Sequence, residues 1–107
     1  MTSGIRLAVP ETATKDEIVE SKALIRHPME SGFRRGSRGE VIPRDIITRF
    51  ECDLNGELVF ASDFHPAVAA NPLITFHMRA SKSGDLTFRW TDQNGQVWSE
   101  TASILVS

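Results

Sequence analysis

The chain has 107 residues, 40% of them apolar, which suits a single domain (residues 1–107) with its own core. Lys and Arg number 12 against 14 Asp and Glu, a near-neutral balance that argues against a dedicated nucleic-acid binder. We expect no membrane span and no signal peptide, because no apolar run has the required length, and the single cysteine excludes an internal disulfide and a multi-cysteine metal site.

Glycine and proline recur at short intervals, and apolar residues alternate with polar ones between them. This pattern predicts an all-β sandwich or barrel. The predicted inward-facing residues are, in chain order, Ile5, Leu7, Val9, Val19, Ala23, Ile25, Ile46, Phe50, Cys52, Leu54, Ile74, Phe76, Met78, Ala80, Leu86, Phe88, Trp90, Trp98, Ala102, Ile104 and Val106.

The segment after Pro10 carries two conflicting signals. Thr14 and Glu17 have the spacing of a helix capping box, and residues 16–26 have tolerable helix propensity. The strand interpretation rests on the alternating sets Val19, Ala23, Ile25 and Glu20, Lys22, Arg26. We predict a strand, because the neighbouring segments have the β pattern.

Two Asn-Gly pairs, Asn55-Gly56 and Asn94-Gly95, predict hairpins. A two-residue loop at the first pair would turn Leu58 and Phe60 towards the polar face. We therefore predict three-residue loops, with a bulge at the glycine, in both hairpins. The predicted cross-strand pairs are Cys52 with Leu58, Phe50 with Phe60, Trp90 with Trp98, and Leu86 with Ala102.

The segment from His27 to Ile46 is rich in arginine and glycine. Its arginines are Arg34, Arg35, Arg38 and Arg44. A phosphate-binding loop would also need a Lys-Ser or Lys-Thr pair and a following helix, which this segment lacks, so we interpret the glycines as turn residues. Single-stranded nucleic acid requires aromatic platforms, and Phe33 is the only aromatic residue in this segment.

Three histidines could in principle form a zinc site. His27, His65 and His77 are far apart in the sequence, and none has the close spacing of paired ligands. His27 and His65 each precede a proline, which favours extended or turning chain. We interpret all three as turn and surface residues and predict no metal site.

Cys52 lies between Phe50 and Leu54 on the apolar face of a predicted strand. A buried cysteine usually behaves as a small hydrophobic residue, and Glu51 and Asp53 beside it disfavour a thiolate. The sequence also lacks a nucleophile elbow and an evident catalytic carboxylate pair. We therefore expect no catalytic residue, no cofactor and no enzyme activity.

A small β domain without an active site commonly functions by binding through its loops. Val41, Ile42 and Pro43 lead into Ile46-Ile47, and if Ile46 points into the core, Ile47 points out of it. Exposed apolar residues next to a structured loop suggest a protein interface. The alternative, that the loop itself covers Ile47, is equally open at this stage.

Four segments then occur in a distinctive order: HPMESGFRRG, VIPRDIITRFECDLNGELVF, HPAVAANP and FRWTDQNGQVW. Together they resemble the SoxZ family, and the resemblance extends from about Ile5 to Val106. It implies an immunoglobulin-like antiparallel β-sandwich that forms a heterodimer with SoxY. In such a complex a SoxY cysteine, on a flexible glycine-rich C-terminal segment, carries covalently bound sulfur during thiosulfate oxidation. SoxZ supplies no catalytic residue.

The resemblance also implies a bacterial periplasmic location, reached by export of the folded chain together with SoxY on the twin-arginine signal of SoxY. It implies transient contacts with other enzymes of the Sox system. The segment from His27 to Ile47 is then our candidate for the SoxY interface. The predicted partner-binding residues are His27, the apolar anchors Met29, Phe33, Ile42 and Ile47, and the rim residues Arg34 and Arg35.

Two other functions remain open on the sequence alone. A stand-alone sandwich could bind a small anion or a metal through the 27–46 loop and the histidines, and an enzyme could use Cys52 as a nucleophile. We also expect that the isolated chain can form a homodimer, because an edge strand without its partner can pair with a second copy of itself.

Overall fold

The computed structural model describes residues 4–65 and 68–107. The first three residues and Pro66–Ala67 lie outside the described residues. The prediction of extended or turning chain at His65-Pro66 therefore lies partly outside them. The described residues form strands β1 (Ile5–Ala8), β2 (Thr12–Ala13), β3 (Ile18–Ile25), β4 (Ile47–Leu54), β5 (Glu57–Asp63), β6 (Leu73–Arg79), β7 (Gly84–Asp92) and β8 (Val97–Val106). These ranges contain no helix that is long and apolar enough to span a membrane.

The strands form two sheets. One has the order β1-β3-β6 and the other the order β2-β8-β7-β4-β5. The pairs are antiparallel except for β2 and β8, which run parallel. The N-terminal segment is divided between the sheets, because β1 pairs in the first and β2 in the second. This arrangement confirms the all-β, immunoglobulin-like sandwich.

The predicted inward-facing residues lie between the sheets, either buried or packed against the buried cluster. Phe50 is central: its ring lies 6.1 Å from that of Phe60, 6.1 Å from Phe76, 6.2 Å from Phe88 and 5.1 Å from Trp90. Phe60 of β5 and Phe76 of β6 stack at 4.5 Å and so join an edge strand of one sheet to an edge strand of the other. One aromatic cluster therefore connects strands of both sheets.

The segment with conflicting signals is a strand, as predicted, and Val19, Ala23 and Ile25 are buried. The capping-box residues form a turn instead of a helix start. The Glu17 carboxylate accepts a hydrogen bond from the Thr14 N–H at 2.9 Å, as it would in a cap, while the Glu17 N–H donates to the Thr14 carbonyl at 2.9 Å. Asp16, at φ 69°, then reverses the chain into β3.

The second hairpin has the predicted bulged loop. Trp90 pairs with Trp98 and Leu86 with Ala102, and Gly95 has φ 83°. The Gly95 N–H donates to the Asp92 carbonyl at 3.1 Å, which closes the turn before the left-handed glycine.

The prediction for the first hairpin is wrong. Asn55 (φ 51°) and Gly56 (φ 87°) form a two-residue turn of type I′, and the bulge lies inside β5, because Leu58 pairs with Asp53 while Phe60 pairs with Cys52. Phe50 pairs with Ser62. The extra residue brings Phe60 to the core face, as the pattern requires, but leaves the side chain of Leu58 50% exposed.

The central position of Phe50 predicts a large effect of truncation. Phe50→Ala should lower the free energy of unfolding by about 3–5 kcal/mol, because the cavity would adjoin four other aromatic rings. Urea unfolding followed by tryptophan fluorescence measures this change. Phe33→Ala is the matched control: its side chain is 85% exposed, and the expected change is within about 0.5 kcal/mol. Equal losses in the two variants would contradict this assignment of the core.

Candidate protein-interaction site

Residues 27–46, between β3 and β4, double back on themselves as an irregular hairpin, which we call the arm. Glu30 and Asp45 exchange backbone hydrogen bonds of 2.8 and 2.9 Å. Further out, the Ile42 N–H donates to the Arg34 carbonyl at 2.8 Å. The Gly39 N–H, which donates to the Gly36 carbonyl at 3.0 Å, closes the tip. The arm therefore has its own ladder of backbone hydrogen bonds.

His27 fixes the N-terminal end of the arm to the sandwich. Its N–H donates to the Asn71 side-chain oxygen at 2.9 Å, and its carbonyl accepts from the Asn71 N–H at 2.8 Å. The imidazole is buried, with Nδ1 accepting the Met29 N–H at 3.0 Å and the ring packed edge-on against Trp98 at 5.8 Å. Nε2 lies 3.7 Å from the Asp45 carboxylate. Sequence reasoning placed His27 at a turn or the surface, whereas the structure gives it a buried, supporting position.

Met29 and Ile47, two predicted apolar anchors, are also buried. Met29 is 5% exposed, and its Sδ accepts the Ile47 N–H at 3.3 Å. Ile47 is 0% exposed, because a register shift between Ile47 and Arg49 in the β4–β7 pairing turns it to the core face together with Phe50. Ile46, which precedes β4, is also buried. The expectation that Ile47 is exposed is wrong, and the alternative, a covered Ile47, is correct.

Gln93, in the β7–β8 loop, holds the C-terminal end of the arm. Its side-chain oxygen accepts from Arg44 Nε at 3.1 Å and from the Ile46 N–H at 3.2 Å. Its side-chain nitrogen donates to the Arg44 carbonyl at 2.8 Å, and its backbone N–H donates to the Ile46 carbonyl at 3.0 Å. Sequence reasoning missed Gln93, because nothing local marks a loop glutamine as the contact of a segment nearly fifty positions away.

Several arginines of the arm are engaged within it. Arg34 forms a two-point ion pair with Glu30, with Nε and Nη2 donating at 3.0 and 2.6 Å. This pair raises the pKa of Arg34 and lowers that of Glu30. Arg35 Nη1 donates to the Gly39 carbonyl at 2.8 Å. The paired guanidinium groups stiffen the arm while leaving their outer surfaces in water.

The tip of the arm already holds a carboxylate. Glu40 Oε2 accepts the Arg38 N–H at 3.0 Å, and the Glu40 carboxylate lies where a side chain on Gly36 would have to go. The Glu40 carboxylate therefore already takes up a backbone donor that a phosphate or another small anion would need. The geometry gives no support to the stand-alone anion-binding alternative.

Apolar side chains project from the same arm into solvent. Phe33 is 85% exposed, the highest value among the large apolar side chains of the described ranges, and Val41 is 50% exposed. Ile42, which the sequence predicted as an anchor, is partly covered. Of the predicted set, Phe33, Arg34, Arg35 and Ile42 reach the surface. Val41 joins them, although the predicted set did not include it.

The histidines do not converge. His27 is buried at the arm base, whereas His77 lies on the outer face of β6 with its Nε2 3.6 Å from Glu20. Among residues 4–65 and 68–107, no group of three His, Cys, Asp or Glu side chains is close enough to hold a metal ion. The described geometry therefore gives no support to the metal-binding alternative either.

Cys52 is buried in the core. Desolvation, with a smaller contribution from the negative charge of Asp53, raises the pKa of its thiol to about 12. The thiolate is the reactive form, so at neutral pH this sulfur is both inaccessible and protonated.

We predict that Cys52 reacts with iodoacetamide at pH 8 on the order of 100-fold more slowly, or slower still, in the folded chain than in urea, because unfolding restores both access and an ordinary thiol pKa. Intact mass spectrometry against time measures the two rates. Labelling of the folded protein at the rate of the unfolded chain would contradict the buried assignment.

Removal of the Gln93 side chain should loosen the C-terminal end of the arm, which its hydrogen bonds hold. Gln93→Ala should speed amide hydrogen exchange at Asp45 and Ile46 by about 10-fold, while Phe88 in β7 keeps its protection. Asn94→Ala is the matched control, since it alters an exposed side chain of the same loop. Equal exchange at Asp45 and Ile46 in the two variants would show that Gln93 does not hold the arm.

Solved structures with this fold include proteins of different functions. The sulfur carrier protein SoxY from Chlorobium limicola f thiosulfatophilum superposes with a TM-score of 0.69 and 16% identity, over 99% of this chain and 81% of that protein. A superoxide reductase (neelaredoxin) from Ignicoccus hospitalis gives 0.73 and 20%, over 96% and 80%. The corresponding protein from Archaeoglobus fulgidus, in its reduced form, gives 0.63 and 18%, over 94% and 88%. At these identities the likeness shows the fold alone.

No curated protein sequence matches this chain closely enough to count as a relative. The sequence profile of the family described as "Sulphur oxidation protein SoxZ", however, matches residues 5–103, nearly the whole chain. This match agrees with the resemblance of the arm, the β4–β5 hairpin and the β7–β8 hairpin. The chain belongs to the SoxZ family of sulphur oxidation proteins.

Proposed function

We propose that this chain is the non-catalytic subunit of a sulfur carrier complex and that it pairs one-to-one with SoxY through the arm. The observation that carries this proposal is the exposure of Phe33 on a segment that the sandwich holds in place. An aromatic side chain that is 85% exposed gains a large apolar contact when a partner covers it.

The arm suits such a contact because most of its ordering is complete before binding. The Asn71 contact with His27, the Glu30–Asp45 bridge and the Gln93 contacts fix both ends of the arm. A partner that binds it therefore loses less free energy to ordering than it would with a flexible loop.

Among the predicted partner-binding residues, we assign different roles according to burial. Phe33 and Ile42 contact SoxY directly, together with Val41. Arg34 and Arg35 form the polar rim and meet acidic or carbonyl groups of SoxY or of transiently docking Sox enzymes. His27, Met29 and Ile47 are buried. They act by holding the arm in position.

The chemistry of the complex resides on the partner. The SoxZ resemblance implies that a cysteine of SoxY holds the sulfur substrate covalently during thiosulfate oxidation. Cys52 of this chain is buried and protonated, which supports a role in core packing alone. In this proposal the chain acts in the periplasm and is exported together with SoxY.

Phe33→Asp should weaken binding to SoxY by about 30-fold or more, the factor that corresponds to the 2 kcal/mol threshold of an interface hot spot. Leu105→Asp is the matched control, because it places the same charge on an exposed leucine of β8 (63% exposed). Calorimetric titration of each folded variant with SoxY measures the affinity. Ile47→Asp is unsuitable for this test, since the buried charge would unfold the domain.

Undiminished affinity of Phe33→Asp, or equal losses in the two variants, would overturn the assignment of the interface to the arm. Absence of any binding between the unaltered chain and SoxY would overturn the carrier proposal itself.

A further inference from the structure

Strand β6 is one of the two edge strands of the three-stranded sheet, β1 being the other. Within the described residues β6 pairs with β3 alone. Its outward side chains are exposed, including Leu73 at 55% and His77 at 60%. The seven residues of β6 pair with β3 without a register shift, so the strand offers a regular template for another strand.

The hydrogen bonds to β3 show which backbone groups of β6 face this edge. The Ile25 N–H donates to the Pro72 carbonyl, and the Ala80 N–H donates to the Glu17 carbonyl. In an antiparallel strand the N–H and C=O of one residue point to the same side, and successive residues alternate. The even-numbered residues therefore bond to β3. The groups that face the outer edge belong to Leu73, Thr75, His77 and Arg79.

The edge strand β5 of the other sheet is a poorer template. The bulge at Val59 interrupts its ladder. A second β5 paired with it around Phe60 would also place Glu57 opposite Asp63, two carboxylates that repel. Of these two edges, β6 is the one that is both regular and free of such a clash.

We propose that the outer edge of β6 pairs with β6 of a second copy of this chain, antiparallel and with the two-fold axis at Phe76. The residues with outward-facing backbone groups then lie opposite each other, Leu73 with Arg79 and Thr75 with His77. On the core side Ile74 lies opposite Met78. This register opposes no like charges and lets the aliphatic stem of Arg79 cover the exposed Leu73.

The expected contact is weak, because an edge-to-edge strand pair buries less than the roughly 800 Å² per partner of a typical stable interface. It does not depend on the proposed function, as the arm takes no part in it. If both hold, two carrier heterodimers join through β6 into an assembly with two copies of each chain.

The test removes one outward-facing donor. In Thr75→Pro the N–H that would bond to the second copy is lost, while the ladder to β3 is intact because the Thr75 N–H faces away from it. Thr75→Ala is the matched control, with the same exposed side chain removed and the N–H kept. Sedimentation velocity of the isolated chain, from about 10 μM to about 1 mM, follows self-association.

We expect the average mass of the unaltered chain and of Thr75→Ala to rise from 11.9 kDa towards twice that value with concentration, and Thr75→Pro to remain at 11.9 kDa. A monomer throughout the range for the unaltered chain would overturn the proposal, and so would a dimer that Thr75→Pro leaves unchanged. Binding of SoxY by these variants reports separately on the arm, so the two proposals can fail independently.

If Thr75→Pro fails to fold, a second experiment tests the same pairing of β6 with β6 by disulfide cross-linking. The register predicts that a mixture of Thr75→Cys and His77→Cys chains forms an intermolecular disulfide under mild oxidation, because directly opposed residues have Cα atoms about 5.5 Å apart. Cys52 does not compete, since it is buried. A mixture of Glu57→Cys and Asp63→Cys is the control on the β5 edge. Cross-linking equal to that of this control would overturn the proposal.

Discussion

Ile46, which precedes β4, and Ile47, its first residue, are both buried, and the position of the arm depends on this constraint. In a regular strand Ile47 would lie on the face opposite to Phe50, so it reaches the core only through the register shift before Arg49, and Ile46 is buried just ahead of the strand. Contacts of Met29 with Ile47, and of Gln93 with Ile46, then hold the two ends of the arm against the sandwich.

The arm combines internal order with apolar exposure. Its polar groups are largely satisfied within the chain, as the Arg34–Glu30 pair and the Glu40 contact at the tip illustrate. Beside its exposed arginines it presents apolar surface to solvent at Phe33 and Val41. This division favours a protein partner over a small anion. The burial of Cys52 in the core is also consistent with our proposal that the covalent sulfur chemistry belongs to another subunit.

Much of the fold could be predicted from the sequence, since two-residue alternation reports directly on which side chains face the core. The β3 strand and the Gly95 bulge followed from it. The first hairpin did not, because alternation requires one extra residue near Asn55-Gly56 but does not say whether it lies in the loop or in β5. Ile47 and Gln93 depend on contacts between distant segments, and a single sequence carries no local signal for those.

Amide hydrogen exchange of the chain, alone and saturated with SoxY, tests the central claim most directly. It compares the arm with the rest of the surface in one experiment and needs no substitution. The account predicts added protection between residues 33 and 42 and at the arm base, and none on the outer face of β8. Protection on β8 or another sheet face, with exchange between residues 33 and 42 unchanged, would contradict the assignment of the arm as the SoxY-binding surface.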